Sequence, residues 1–349
     1  MHQTAWPRRN FMLAGAASGL AACTSLRDGG QITINLAGSE PPAQKEEAPT
    51  LLEAAFDQGS RMMVPVEIER SGPFQFVVDT GANRSVVSNE VAAHLRLESK
   101  GRTPVHGIAG VEPATLFRVG RMRVGEVISY GLDLPGLPGS KLGADGILGV
   151  DVLRDRKVVF DFQDNRFSIA PTAQGVAIGR RGTDTRLHET DIVTVPAHFR
   201  FGQLVIVGAF LDQAPISAFI DSGSQISVGN LALRDLFLKL DPTLATRFTD
   251  VPLISATGQV SQGQLAMVSS LRLGGLRLTR MLVAFADLHI FQLWELQEQP
   301  AILIGIDVLQ QFENVALDFG RREVIFQASK RGVPIERHPK RFDADHRPR

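Results

Sequence analysis

Two short segments of this chain end an apolar run on aspartate, a hydroxyl residue and glycine. They are Phe76-Val77-Val78-Asp79-Thr80-Gly81-Ala82 and Ala218-Phe219-Ile220-Asp221-Ser222-Gly223-Ser224, 142 residues apart. A carboxylate at the end of a buried strand is costly unless something compensates it, so an apolar run leading straight into Asp points to chemistry. Glycine next but one lets the turn take conformations closed to other residues and lets a second backbone come close. The hydroxyls of Thr80 and Ser222 are suited to bond the opposite loop and hold Asp79 and Asp221 together, and paired carboxylates are material for acid–base work. One such tripeptide arises by chance about once in several chains of this length; two at matching places in a repeat carry far more weight.

The repeat extends in both directions. Pro73 and Pro215 precede the motifs at the same offset, and Gly146-Ile147-Leu148-Gly149-Val150-Asp151-Val152-Leu153 recurs as Ile302-Leu303-Ile304-Gly305-Ile306-Asp307-Val308-Leu309. Both copies then enter an apolar stretch ending in Asp-Phe, at Asp161-Phe162 and Asp318-Phe319. The body therefore divides into an N-terminal lobe, residues 60–178, and a C-terminal lobe, residues 179–328. Each lobe reads as mostly β. Met63 to Glu69 alternates, Ser71-Gly72-Pro73 is expected to turn, and Phe74 to Val78 to return as a buried strand. Ser88-Asn89-Glu90 is expected to open a short helix with Val91, Ala92 and Leu95 on one face, and the segments after Gly149 and Gly305 to make one or two helical turns.

On these residues the chain resembles the retropepsin/pepsin family of aspartic proteases, with both halves in one polypeptide. The resemblance covers nearly all of residues 60–328. It implies an all-β fold of two pseudo-twofold-related retropepsin-like β-barrel lobes with a few short helices. The Asp-Thr/Ser-Gly loops would meet at the axis, with Ile147-Leu148-Gly149 and Leu303-Ile304-Gly305 threading behind them. It implies Asp79 and Asp221 as the catalytic pair, supported by Thr80, Gly81, Ser222, Gly223 and Ser224, and a flap tip at His106-Gly107-Ile108-Ala109-Gly110 over a peptide or protein substrate. Two carboxylates held about 3 Å apart cannot both ionise, so they share a proton and titrate as a pair. The ionised member takes a proton from water while the protonated one hydrogen-bonds the peptide carbonyl, and no metal, cofactor or covalent intermediate is required.

The chain departs from the family pattern in places. The first motif continues with Ala82 and the second with Ser224, so the two carboxylates are expected in different hydrogen-bond environments. The single tyrosine, Tyr130, lies too far along to be a pepsin-type flap tyrosine. The counterpart of the flap, Ser255-Ala256-Thr257-Gly258, is poorer in glycine, so one flap is expected to do more of the covering. Asp151 and Asp307 read as structural caps on helical turns, and Asp161 and Asp318 as turn or surface residues. His106 is either an exposed loop histidine or a substrate contact; Trp294 packs in the core or covers a groove.

Composition narrows the alternatives. Of 349 residues, 44% are hydrophobic and 21% charged, and 37 Lys+Arg balance 37 Asp+Glu, which gives no overall pull toward nucleic acid. A single cysteine rules out a disulfide scaffold and Cys-based zinc sites. His-Glu-x-x-His, Gly-x-Ser-x-Gly, Walker and Gly-x-Gly-x-x-Gly motifs do not occur. The alternative from another class is a non-catalytic cell-envelope protein that keeps the cleft to bind an extended peptide by strand addition.

The ends of the chain suggest an address. Arg8 and Arg9 precede an uncharged run from Phe11 to Ala22, the pattern of a signal peptide over residues 1–22. Leu20-Ala21-Ala22-Cys23 resembles a bacterial lipobox, and Arg8-Arg9 with Phe11 a twin-arginine export signal. Lipid on Cys23 and a tether over residues 23–59 would hold a periplasm-facing monomer to the membrane, and Thr24 suggests the outer one. Residues 329–349, with seven Lys/Arg against three acids, are expected to form a solvated tail.

Overall fold

The computed structural model describes residues 49–172, 192–211 and 213–328, and they are almost entirely β. The proposed leader, Cys23, the basic tail and most of the tether lie outside the described residues. In the N-terminal lobe, strands Met62–Ile68, Ser71–Val78, Gly146–Leu148, Val86–Ser88, Val127–Leu137 and Gly110–Val124 pair in that order. Pairing of Glu67 with Arg123 and Ile68 with Met122 then closes them into a barrel. Alternation drives the first strand: Met62, Val64, Val66 and Ile68 are fully buried and the residues between them half-buried. The next strand ends in three consecutive buried residues, Phe76, Val77 and Val78, because both its faces are covered.

The turn between these two strands is not Ser71-Gly72-Pro73. It is Glu69-Arg70, with φ of 51° and 67°, and Ser71 already pairs with Ile68. A two-residue hairpin loop with both central residues at positive φ matches the strand twist, so the turn takes the left-handed residues rather than the glycine-proline pair. The expected helix is present as Asn89–His94, with the Ser88 hydroxyl accepting from Val91 N at 3.1 Å and Val91 and Ala92 buried.

The C-terminal lobe repeats the plan with Gln203–Ile206, Ser217–Ile220, Ala301–Ile304, Val228–Gly229, Leu276–Phe285 and Val260–Leu273. The lobes share one sheet, because Arg156–Asp161 pairs antiparallel with Phe312–Asp318, the Val159 and Ala316 of equivalent stretches lying opposite each other. Thr50–Glu53 extends that sheet by pairing with Arg166–Pro171, and Ala55–Phe56 pairs with Met62–Ile68. The expectation of a tether as far as residue 59 is thus corrected: sheet edges recruit residues 50–56. Among the described residues no helix is long and apolar enough to cross a membrane.

Candidate active site

The two strands that carry the aspartates each lie beside a parallel threading strand. Val78 pairs with Leu148 and Ile220 with Ile304. The pairing continues one residue further, with Asp79 N donating to Leu148 O and Asp221 N to Ile304 O, both at 3.0 Å. Each threading strand then passes close behind a dyad loop. A Cβ on Gly149 would lie 2.8 Å from Ala82 O, and one on Gly305 2.6 Å from Ile226 C, so no side chain fits at either place.

The loops are tied across the axis. Thr80 Oγ1 donates to Ile220 O (2.9 Å) and accepts from Ser222 N (3.1 Å), while Ser222 Oγ donates to Val78 O (2.8 Å) and accepts from Thr80 N (3.1 Å). All of these groups are buried. Gly81 and Gly223 leave room for the facing carboxyls: a Cβ on Gly81 would meet Asp221 Oδ1 at 2.5 Å, and one on Gly223 would overlap the Asp79 carboxyl. Each carboxyl accepts from the glycine of its own loop, Gly81 N to Asp79 Oδ1 at 2.8 Å and Gly223 N to Asp221 Oδ1 at 3.0 Å.

The Asp79 and Asp221 carboxyls face one another across the axis, each lying against the glycine of the other's loop, and their charges interact. Burial first, and then the charge of Asp79, push the Asp221 carboxyl up to about 8; burial also raises Asp79, against the amides of Gly81 and Ala82 and the charge of Arg61. The pair retains one proton well above the usual carboxylate range. The Ser224 hydroxyl, expected to distinguish the two environments, instead bonds Ile226 O at 2.7 Å within its own loop. Its amide faces Asp221 as that of Ala82 faces Asp79.

Asp151 and Asp307 are structural, but not as helix caps, since Gly149 and Gly305 hold the cap positions. Asp151 accepts from the Ser85 hydroxyl at 2.7 Å and Asp307 from that of Ser227 at 2.9 Å; the serines in turn accept from Gly149 N and Gly305 N. These serines were missed in the sequence, although they repeat at the same spacing as Asp79 and Asp221. Asp161 accepts from two amides in a turn. Asp318 does likewise from Arg321 N, yet it is buried, not at the surface, and it also receives the Thr172 hydroxyl.

The expected flap is the hairpin of Glu98–Gly107 and Gly110–Val124, with Ile108 and Ala109 at its turn. Its tip rests on the other lobe. Ile290 N donates to Ile108 O (3.3 Å), Gln259 Nε2 to Val111 O (2.9 Å), and Gly107 faces the Thr257 hydroxyl so closely that a Cβ would lie 2.5 Å away. His106 Nδ1 lies 3.0 Å from His289 Nε2, the rings stacked with centroids 5.3 Å apart. The His106 side chain therefore contacts the C-terminal lobe, a role hidden from the sequence because the partner is 183 residues away. The two hairpin tips thus touch each other through Thr257 and Gln259.

The surroundings of the two aspartate loops differ. Beside Gln225 lies a cavity of about 470 Å³ lined by Phe56, Asp57, Arg61, Met63 and Lys141 among others. At the corresponding place in the other lobe, Trp294 is buried and stacks on Phe219 and Phe201, with centroid distances of 4.6 and 5.6 Å. Among the described residues no group of three or more His, Cys, Asp or Glu is arranged to hold a metal ion.

Residues 64–155 match the family model described as "gag-polyprotein putative aspartyl protease", and residues 206–308 match the model described as "aspartyl protease". The two matches fall in tandem, one on each lobe. No curated protein matches the chain.

Proposed function

The chain belongs to the retropepsin-like aspartic proteases, with both lobes in one polypeptide, and from that premise we propose that it is an endopeptidase in which Asp79 and Asp221 activate water. The observation that carries the proposal is the carboxyl pair itself: two buried aspartates facing one another, on loops locked together through Thr80 and Ser222. Such a pair holds one proton, so one member is a base and the other an acid at the same pH. A water between them loses a proton to the base as its oxygen bonds to the peptide carbon, and the acid passes its proton to the carbonyl oxygen. Collapse of the diol reverses the roles, and the amine leaves with a proton from the first aspartate.

The flap tip His106, Gly107, Ile108, Ala109 and Gly110 closes over the cleft in this proposal, and an extended peptide lies beneath it. The enzyme would act as a monomer at the cell envelope, held by lipid on Cys23; a Cys23→Ala chain released from the membrane fraction supports this, and one retained there opposes it. Activity is tested with a peptide mixture over acid to neutral pH. Wild type should cut, and Asp79→Asn and Asp221→Asn should not. A wild type that binds peptides and cuts none would favour the envelope peptide-binding reading.

A further inference from the structure

Each lobe sends a hairpin tip to the other, and each tip is gripped by the short helix that precedes the other lobe's threading strand. Ile108, at the N-terminal tip, packs against the C-terminal core cluster that contains Phe291 and Leu296, and its carbonyl accepts from Ile290 N (3.3 Å) in the helix His289–Leu293. In return, Ala256 packs against the N-terminal cluster that contains Ala114 and Leu142, and Thr257 O accepts from Lys141 Nζ (3.0 Å) in the helix Gly139–Leu142.

The two grips differ in chemistry. Lys141 is a cation matched by Glu112 of the flap at 2.9 Å. On the other side the polar side-chain contact joins two imidazoles, His106 Nδ1 and His289 Nε2, 3.0 Å apart. At that distance one nitrogen must carry a proton and the other a lone pair. One extra proton on the pair leaves that lone pair in place and makes the bond charge-assisted. A second takes the lone pair, and two N–H groups on two cations then face each other. Histidine gains its charge between about pH 8 and about pH 5, a range in which lysine and glutamate side chains ordinarily keep theirs. The surrounding elements add little charge that is not already paired or in water. The turn of residues 255–259 carries none, and the helix His289–Leu293 none besides His289 itself. Glu112, next to the Val111 that pairs with His106, is taken by Lys141. Asp287, ahead of the helix, is exposed and accepts from Gln292 at 3.1 Å, while Arg102 of the flap strand and Glu295 beyond the helix are exposed.

We propose that His106 and His289 are positioning residues for the flap and that their protons set its closure: the tip stays gripped while one ring keeps a lone pair, and is released when both rings are protonated. The Lys141 grip does not release with it, so on acidification one hairpin tip loosens and the other holds. A loosened tip covers a bound peptide less well, so KM rises while kcat changes little on this account. That effect on peptides rests on the reading of the chain as a dyad endopeptidase; the release of the tip does not.

The test is amide exchange in the full chain, read by NMR as the protection of Ile290 N–H, which is freed when the tip lifts. Corrected for the intrinsic pH dependence of exchange, wild-type protection should fall about twofold to tenfold between about pH 7.5 and about pH 5. His289→Gln and His106→Asn put an amide that does not titrate where the bonding nitrogen, Nε2 or Nδ1, now lies, and in both the fall should disappear. Peptide KM should follow: as pH drops it should rise by a similar factor in wild type relative to His289→Gln, with the ratio of kcat values flat. Comparing the two enzymes at each pH cancels the titration of the dyad. Wild-type protection that ignores pH, a fall that survives in either variant, or a KM ratio that stays flat would overturn the proposal. Failure of the dyad reading looks different: no cleavage at any pH, with Ile290 exchange still following the histidines.

Discussion

Thr80 and Ser222 exchange hydrogen bonds across the boundary between lobes, each hydroxyl donating to the carbonyl just ahead of the other's aspartate and accepting from the other's amide. The two residues that follow the aspartates thus set the distance between them. Neither loop is complete without the opposite lobe.

Removing one hydroxyl strands a buried amide and a buried carbonyl. Thr80→Val or Ser222→Ala should each cost about 1–3 kcal/mol of stability, and the double variant less than the sum, because each hydroxyl makes two bonds of one network that ties the same two loops, and loops loosened by one change lose less to the other. Urea midpoints measure this. kcat should fall with little change in KM, since the carboxyl spacing is disturbed and the peptide contacts are not.

Gly81→Ala and Gly223→Ala place a methyl group against the facing carboxyl. The carboxyls must part or the loop must shift, and a displacement of about 1 Å costs on the order of a hundredfold in rate. Cleavage rates at matched folded fraction are the measurement. An active Gly81→Ala enzyme would mean that the carboxyls do not need their present contact.

Stability should depend on pH with a sign set by the dyad. Asp221 is raised to about 8 and Asp79 is raised as well; in the unfolded chain both would fall to about 3.9. The folded state therefore binds more protons, and the pair destabilises it progressively as pH rises from about 4 toward about 8. Asp221→Asn removes the shared proton and its linkage. Its urea midpoint should change less between acid and mildly basic pH than that of wild type.

His289→Ala frees the His106 side chain from the C-terminal lobe while leaving the dyad untouched. An exposed hydrogen bond of this kind is worth about 0.5–1.5 kcal/mol, so KM for peptides should rise about twofold to tenfold with kcat little altered. Steady-state kinetics with His289→Ala and His106→Ala check this, and the two variants should behave alike.

Much of this site was legible in the sequence because it is local and doubled. The apolar run into Asp79 and Asp221, the adjoining Thr80 and Ser222, and the threading glycines Gly149 and Gly305 all lie within short motifs that occur twice. Ser85 and Ser227 repeat as faithfully, but serine carries little signal by itself. The Asp57–Arg61 turn was masked by its setting: it follows a polar stretch and looks like tether, and only pairing of Thr50–Glu53 with Arg166–Pro171 reveals it as part of the fold. His106 and His289 meet only because two lobes close, which no local pattern encodes. The turn at Glu69-Arg70 was misplaced because Gly72-Pro73 is the stronger local signal, whereas strand twist decided the outcome.

The central claim is hydrolysis by water held between Asp79 and Asp221. Its most direct measurement is cleavage of a peptide mixture in ¹⁸O-water, followed by mass spectrometry of the products. Wild type should place one ¹⁸O in each new C-terminal carboxylate, with Asp79→Asn and Asp221→Asn both silent; cleavage that survives in either variant would contradict it.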